Sequence, residues 1–245
     1  MFKKILIILC TTLAAGYLLL AITAFNRRAA GQVCTGLELL IKDSLNASFI
    51  TSKELQSLLD KEGLNPVGKK LDEVNTRQME AALDKHTLID AAECYKTPGG
   101  KVCVEVIQRI PILRIMSDNG EDYYIDNKGH EMPTSTKCTA HLAVVTGHVS
   151  KEFAARELYP FGLFLQENDF WNAQTEQIHV LADRTVELVP RVGDHLIYLG
   201  KLKHYRNKLQ RVKLFYEKAL SQVGWNKYSR INVEFDNQII CTRRE

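Results

Sequence analysis

Histidine, cysteine and acidic side chains are the residues of this chain whose types could do chemistry, and their spacing argues against it. His141 and His148 bracket the apolar run Leu142–Gly147, with no carboxylate or cysteine at ligand spacing beside them. A metal site needs three or four convergent ligands. Glu152, Glu157, Glu167 and Asp169 could supply paired carboxylates for acid–base work, but spread over a helix and its exit they read more simply as solvated charge. Thr87 and Ser135 have hydroxyls without a neighbouring base. No GxSxG, HExxH, phosphate-binding or GxGxxG pattern occurs. The expectation is a protein that binds rather than one that catalyses. No catalytic, metal or cofactor-binding residue is assigned, and no small-molecule substrate is expected.

The six cysteines, Cys10, Cys34, Cys94, Cys103, Cys138 and Cys241, form no CxxC pair. Cys94 and Cys103 flank a turn-like stretch. A loop of Thr97–Gly100 would set Lys96 against Lys101, Tyr95 against Val102 and Cys94 against Cys103. Two readings stay open. One is a cross-strand disulfide in an oxidising compartment. The other is two small buried thiols, favoured because a bridge between directly opposed strand positions has demanding geometry.

These side chains need elements to hold them. The run Ile5–Phe25 carries no charge and has basic pairs at both ends, Lys3–Lys4 and Arg27–Arg28. As a helix it spans roughly 30 Å, the thickness of a bilayer core. It is longer than the apolar core of a cleaved signal peptide, so an uncleaved transmembrane anchor is expected. The near-equal flanking charge says little about its orientation. The net charge of +3 over 245 residues gives no concentrated basic face, so nucleic acid is not an expected partner.

Beyond a linker at residues 26–32, a strand is expected around Val33–Lys42. Thr51 with Glu54 has capping-box spacing at the start of a helix, and a second helix begins near Asn75. A hairpin then turns at Pro98-Gly99-Gly100. Strand, helix, helix, strand, strand makes a small α+β domain over residues 33–111. Residues 112–245 read as mainly antiparallel sheet with flanking helices. They include a helix over Lys151–Glu167 broken at Pro160, a hairpin around Asp183-Arg184 and a long amphipathic helix over Leu202–Gly224. The chain closes on a strand-like segment from Tyr228. Ile231, Val233 and Phe235 lie on one side of it, Asn232, Glu234 and Asp236 on the other, and Ile239 and Ile240 follow.

Four motifs carry a resemblance. They are Val104–Ile115 with Arg109 and Pro111, "YYIDNKG" with Tyr124, Asp126 and Gly129, "LAVVTG" ending at Gly147, and "YLGK" with Leu199 and Gly200. In this order and spacing the chain resembles the FtsQ/DivIB family of bacterial cell-division proteins. It departs from the family in a head of only four residues and in Gln108, where a glutamate is often found. The resemblance implies a cytoplasmic head at residues 1–4, the anchor at 5–25 and a POTRA domain followed by a β domain. It also implies an inner-membrane location enriched at the division septum, with the bulk of the chain periplasmic.

The resemblance further implies a non-enzymatic scaffold that binds FtsB and FtsL, a coiled-coil pair, and so helps regulate septal peptidoglycan synthesis. Matched to the family's last strand, Phe235, Asn237 and Gln238 are the expected contacts. Ile239 and Ile240 join them from the residue pattern, and Lys208 and Lys213 could meet acidic groups on the partner. Two rivals are a POTRA-bearing transport or assembly component that captures extended peptides, and a membrane-tethered envelope enzyme using a carboxylate such as Glu152 or Asp169.

Overall fold

The computed structural model describes residues 2–29, 31–42, 49–134 and 142–245, and the side chains at 3, 4 and 9–21 of its first helix. Ser135, Cys138 and His141 lie outside the described residues. Two compact units meet at the Gln108–Arg109 bond, three residues before the expected boundary.

The first unit opens with helix α1 (Phe2–Ala29). Among the described residues no helix is long and apolar enough to cross a membrane. The anchor expected over Ile5–Phe25 includes residues 5–8 and 22–25, whose side chains are outside the described set. Next come β1 (Gly36–Lys42), α2 (Ser52–Lys61), α3 (Thr76–Leu83), β2 (Ile89–Lys96) and β3 (Lys101–Gln108). The sheet order is β1-β3-β2, with β1 parallel and β2 antiparallel to β3. The strand expected from Val33 begins later, because Val33 makes only an isolated bridge to Lys70.

Local chemistry sets both helix starts. Thr51 and Glu54 form the full capping box, and the Asn75 side chain accepts from the Gln78 amide at 3.2 Å. Orphan amides at the helix N-terminus thereby gain partners. Leu55, Leu59, Met79 and Leu83 then bury against Val102, Val104 and Val106 of β3.

The β2–β3 turn corrects the pairing expected of Cys94 and Cys103. The Thr97 amide donates to the Lys101 carbonyl at 2.8 Å, so the loop is Pro98–Gly100, with Gly100 at φ +80°. This moves the pairing by one residue: Cys94 faces Val104, and Tyr95 faces Cys103. Because strand side chains alternate, a one-residue shift sends the two cysteines to opposite faces of the sheet. Both are free and buried.

The second unit holds β4 (Pro111–Ser117), β5 (Asp122–Asp126), β6 (Glu131–Pro133), β7 (Val144–Gly147), α4 (Lys151–Phe153), α5 (Tyr159–Glu167), α6 (Asp169–Gln174), β8 (Thr175–Val180), β9 (Val186–Pro190), β10 (Leu196–Gly200), α7 (Tyr205–Phe215), α8 (Ser221–Val223), β11 (Tyr228–Asn232) and β12 (Ile240–Arg243). The strands form one nine-stranded sheet, ordered β12-β11-β10-β9-β8-β7-β4-β5-β6. It is mainly antiparallel, as expected, but β4–β7, β7–β8 and β10–β11 run parallel. The core joins Ile115, Val145, Ile178, Leu188, Ile197 and Ile231 of the sheet to Phe153, Phe161, Leu165, Leu209, Val212 and Tyr216 of the helices.

The helix expected to break at Pro160 runs on. A π-helical turn, Ala154–Leu158, links α4 to α5, and Pro160 falls in the first turn of α5. The π-turn sits just before the proline, where its missing N–H and ring interrupt the regular α-helical ladder. A second π-turn, Tyr216–Leu220, links α7 to α8. The helix expected from Leu202 starts instead at Tyr205, after His204 in a left-handed conformation at φ +54°.

Candidate functional site: the β11–β12 hairpin

Ile231 and Val233 bury completely, as their alternation predicts, but Phe235 is 50% exposed. The chain leaves the strand between them. The Asn232 side-chain oxygen accepts from the Glu234 amide at 2.9 Å, and Asn237 adopts φ +60°. Such Asx geometry favours a turn over continued pairing. The closing segment is therefore a hairpin and not one strand. β11 is flanked on both sides, by β10 in parallel and by β12 in antiparallel register, with Ile231 opposite Cys241 and Asn232 opposite Ile240. The single closing strand expected from Tyr228 is corrected to two, and the terminal strand of the sheet is β12.

Arg211 holds the loop between them. Its guanidinium donates to the carbonyls of Phe235 at 2.7 Å, Gln238 at 2.9 Å and Val233 at 2.9 Å. The planar fork of Arg suits several fixed acceptors at once. A groove of about 360 Å³ lies between α7 and the loop, lined by Arg211, Leu214, Phe215, Asn237, Gln238 and Ile239. Around it, Leu214, Phe235 and Ile240 are exposed, while Ile239 packs partly against the core. The expected contacts Phe235, Asn237, Gln238, Ile239 and Ile240 are thus gathered at one end of the sheet. Arg211 was not among them. Its sequence signal is only one more base on a basic helix, and the carbonyls it serves lie 22 to 27 residues away.

The two expected lysine contacts behave differently. Lys208 is buried, and its Nζ donates to the carbonyls of Leu199 at 2.8 Å and Lys201 at 2.9 Å. Burial lowers its pKa from the ordinary lysine value. It secures the end of β10 and is not placed for a rim contact, which corrects that expectation. Lys213 sits with Nζ 5.0 Å from the centre of the Phe170 ring, in a cation–π contact.

The base of the hairpin is tied down from another side. The Arg244 guanidinium bonds both the carboxylate and the carbonyl of Asp194. The next residue, His195, is buried, with Nε2 2.6 Å from the Tyr216 hydroxyl. Burial pushes the His195 pKa down and the Tyr216 pKa up. Arg230 of β11 pairs with Glu187 at 2.6 Å and lies 4.3 Å over the Tyr198 ring.

The remaining motif residues build the scaffold of this unit. Arg109 donates through Nε to Asp126 at 2.7 Å and through a second nitrogen to the Glu131 carbonyl at 2.9 Å. Buried Asp126 also accepts from the amides of Lys128 at 3.0 Å and His130 at 2.7 Å, shaping the turn. Gly129 closes that turn against the Tyr159 ring, while Pro111 opens β4 and Tyr124 is buried in β5. Gly147 has φ +92°, and a Cβ there would lie 2.1 Å from the Val180 carbonyl oxygen, so only glycine fits. Gly200 ends β10.

The carboxylates considered for chemistry do not converge. Glu152, Glu157, Glu167 and Asp169 are all exposed, and Glu152 pairs with Arg156 at 3.0 Å. Among the described residues no group of three or more His, Cys, Asp or Glu side chains could hold a metal ion.

Comparison with known proteins bears directly on this architecture. No curated protein matches the chain. A family model described as POTRA-like domain matches residues 32–107, which carry the β1-α2-α3-β2-β3 unit. A second, described as FtsQ/DivIB, C-terminal related, matches residues 110–242, from the start of the nine-stranded sheet into its last strand. With more than half its length matched, in the domain order its motifs imply, the chain belongs to the FtsQ/DivIB C-terminal-related family.

Proposed function

We propose that this protein is a non-enzymatic, single-pass scaffold of the bacterial division machinery. Residues Ile5–Phe25 anchor it in the inner membrane, the four-residue head stays in the cytoplasm, and both folded units stand in the periplasm at the septum. Its partners are division proteins of the FtsB and FtsL type. Through them it influences septal peptidoglycan synthesis, while the POTRA-like unit helps bring it to the septum.

One observation carries the docking part of this reading. β12 ends the order of the nine-stranded sheet, with β11 on one flank and no strand of the described residues on the other. An edge strand presents backbone donors and acceptors that an added strand can satisfy. Exposed Phe235, Leu214 and Ile240 beside it offer apolar anchors of the kind that dominate interfaces. In this reading the partner pairs with β12 and lays side chains into the groove over α7, contacting Asn237, Gln238 and Ile239. Lys213 stands nearby.

Photo-crosslinking in living cells tests it. A crosslinker placed at Ile240 or Thr242 is expected to trap an FtsB-type protein, while one at Glu152, on a helix of the same unit, traps none. Equal yields from both, or no division protein from either, would remove the β12 edge from the interface.

A further inference from the structure

The POTRA-like unit has an edge strand of its own, β2, and that edge is not bare. The Cys94 amide donates to Glu80 Oε1 at 2.8 Å, and the Ala92 amide donates to Asp84 Oδ1 at 3.0 Å. Both acceptors come from α3 and its C-cap residue. The spacing explains why two side chains serve two amides. Positions four apart on a helix are separated by roughly 6 Å along its axis, and positions two apart on a strand by roughly 6.7 Å. Alternate amides of β2 therefore fall in step with successive carboxylates of α3.

A strand added to β2 would bring carbonyl oxygens to these same amides. A carboxylate is the stronger acceptor, because hydrogen bonds with one ionised partner are about twice as strong as neutral ones. The thiol beside the cap registers the charge: Cys94 is pushed up to about 12, by burial first and then by Glu80 and Asp84. It stays a protonated, inert packing residue.

We infer that α3 closes the β2 edge against strand addition. Glu80 and Asp84 occupy the acceptor positions that a docking peptide's carbonyls would take, and an extended partner enters only by displacing them. This goes beyond the docking reading of β12 and does not depend on it.

The test uses the full chain. In the Glu80→Ala, Asp84→Ala double variant, the amides of Ala92 and Cys94 are expected to exchange with solvent at least about tenfold faster, while those of Val104 and Val106 in β3 are unchanged. The uncovered edge should then take up the acetylated peptide Thr-Val-Thr-Val-Thr-Val, or a second copy of the chain, read as renewed protection of the Ala92 and Cys94 amides when either is added, whereas in the unaltered protein neither addition changes the exchange of those two amides. Unchanged exchange at the two amides would overturn the inference, and so would faster exchange without uptake of peptide or copy. If the alanine pair also loosens β3, the Glu80→Gln, Asp84→Asn pair decides, because its side-chain oxygens still accept. Normal protection of Ala92 and Cys94 in that variant supports the cap, and lost protection overturns it.

Discussion

At β2, two carboxylates of a helix meet the outward amides of the edge strand. At β12, the helix alongside sends a guanidinium to the loop instead, binding carbonyls at Val233, Phe235 and Gln238. The first arrangement consumes the groups a partner would need. The second fixes the shape of a turn and leaves the neighbouring strand's outer flank without a strand of the described residues. Sheet edges invite association, and this protein treats these two of its edge strands differently. What separates them is the sign and reach of the side chains on the adjacent helix, which α3 and α7 carry with opposite charge.

That contrast can be broken at β11, which carries β12. Ile231 is completely buried among the core residues. Ile231→Ala is expected to cost about 2–4 kcal/mol in chemical denaturation and to remove β12-dependent crosslinking with it. Arg211→Ala comes next. The loss of three charge-assisted bonds to the loop should cost about 1.5–3 kcal/mol, with faster amide exchange at residues 234–239 and no change in β2. If Arg211→Ala leaves loop exchange unaltered, the guanidinium is not what orders the turn.

Acid should separate the units further. His195 is buried against Tyr216 beside the Asp194–Arg244 tie, and burial lowers its pKa in the folded state from the usual 6.5. A base whose folded pKa is depressed contributes stability above its unfolded pKa and loses it as pH falls below that value, because the unfolded chain then binds more protons. The unit carrying β12 should therefore become less stable as pH drops below about 6.5. A His195→Phe variant should show a flatter pH profile in thermal melts. Phe235→Ala is the smallest perturbation of the fold. With its side chain half exposed, a change within about 0.5 kcal/mol is expected, while recovery of the proposed FtsB-type partner falls by about tenfold or more. Equal recovery would take Phe235 out of the docking surface.

Local signals were legible in the sequence because their causes are local. Thr51 with Glu54 and Asn75 with Gln78 mark helix starts within one turn of chain, and Asp126 and Gly129 mark a turn in the same way. The register at Thr97–Lys101 was not legible. It depends on which residue closes the loop, and a shift of one reverses the faces of Cys94 and Cys103. The alternation of Ile231, Val233 and Phe235 continues on paper past the point where the chain turns, because Arg211 acts from another element. Lys208 reads as a solvated base on a basic helix, yet the carbonyls at the end of β10 draw it inside. Phe235 and residues 237–240 thus stand together in the fold as in the sequence, while Arg211, which arranges them, was not legible.

The parallel join of β10 to β11, bridged by α7 and α8, carries a kinetic consequence. Parallel neighbours cannot zip from a tight turn, so the intervening segment must first collapse onto the sheet. Only then does β11 find its place in the sheet, and β12, paired to it antiparallel through their own loop, joins with it. The proposed docking at that border would mature after the rest of the sheet, and a nascent or damaged molecule would lack it until its interior is in order.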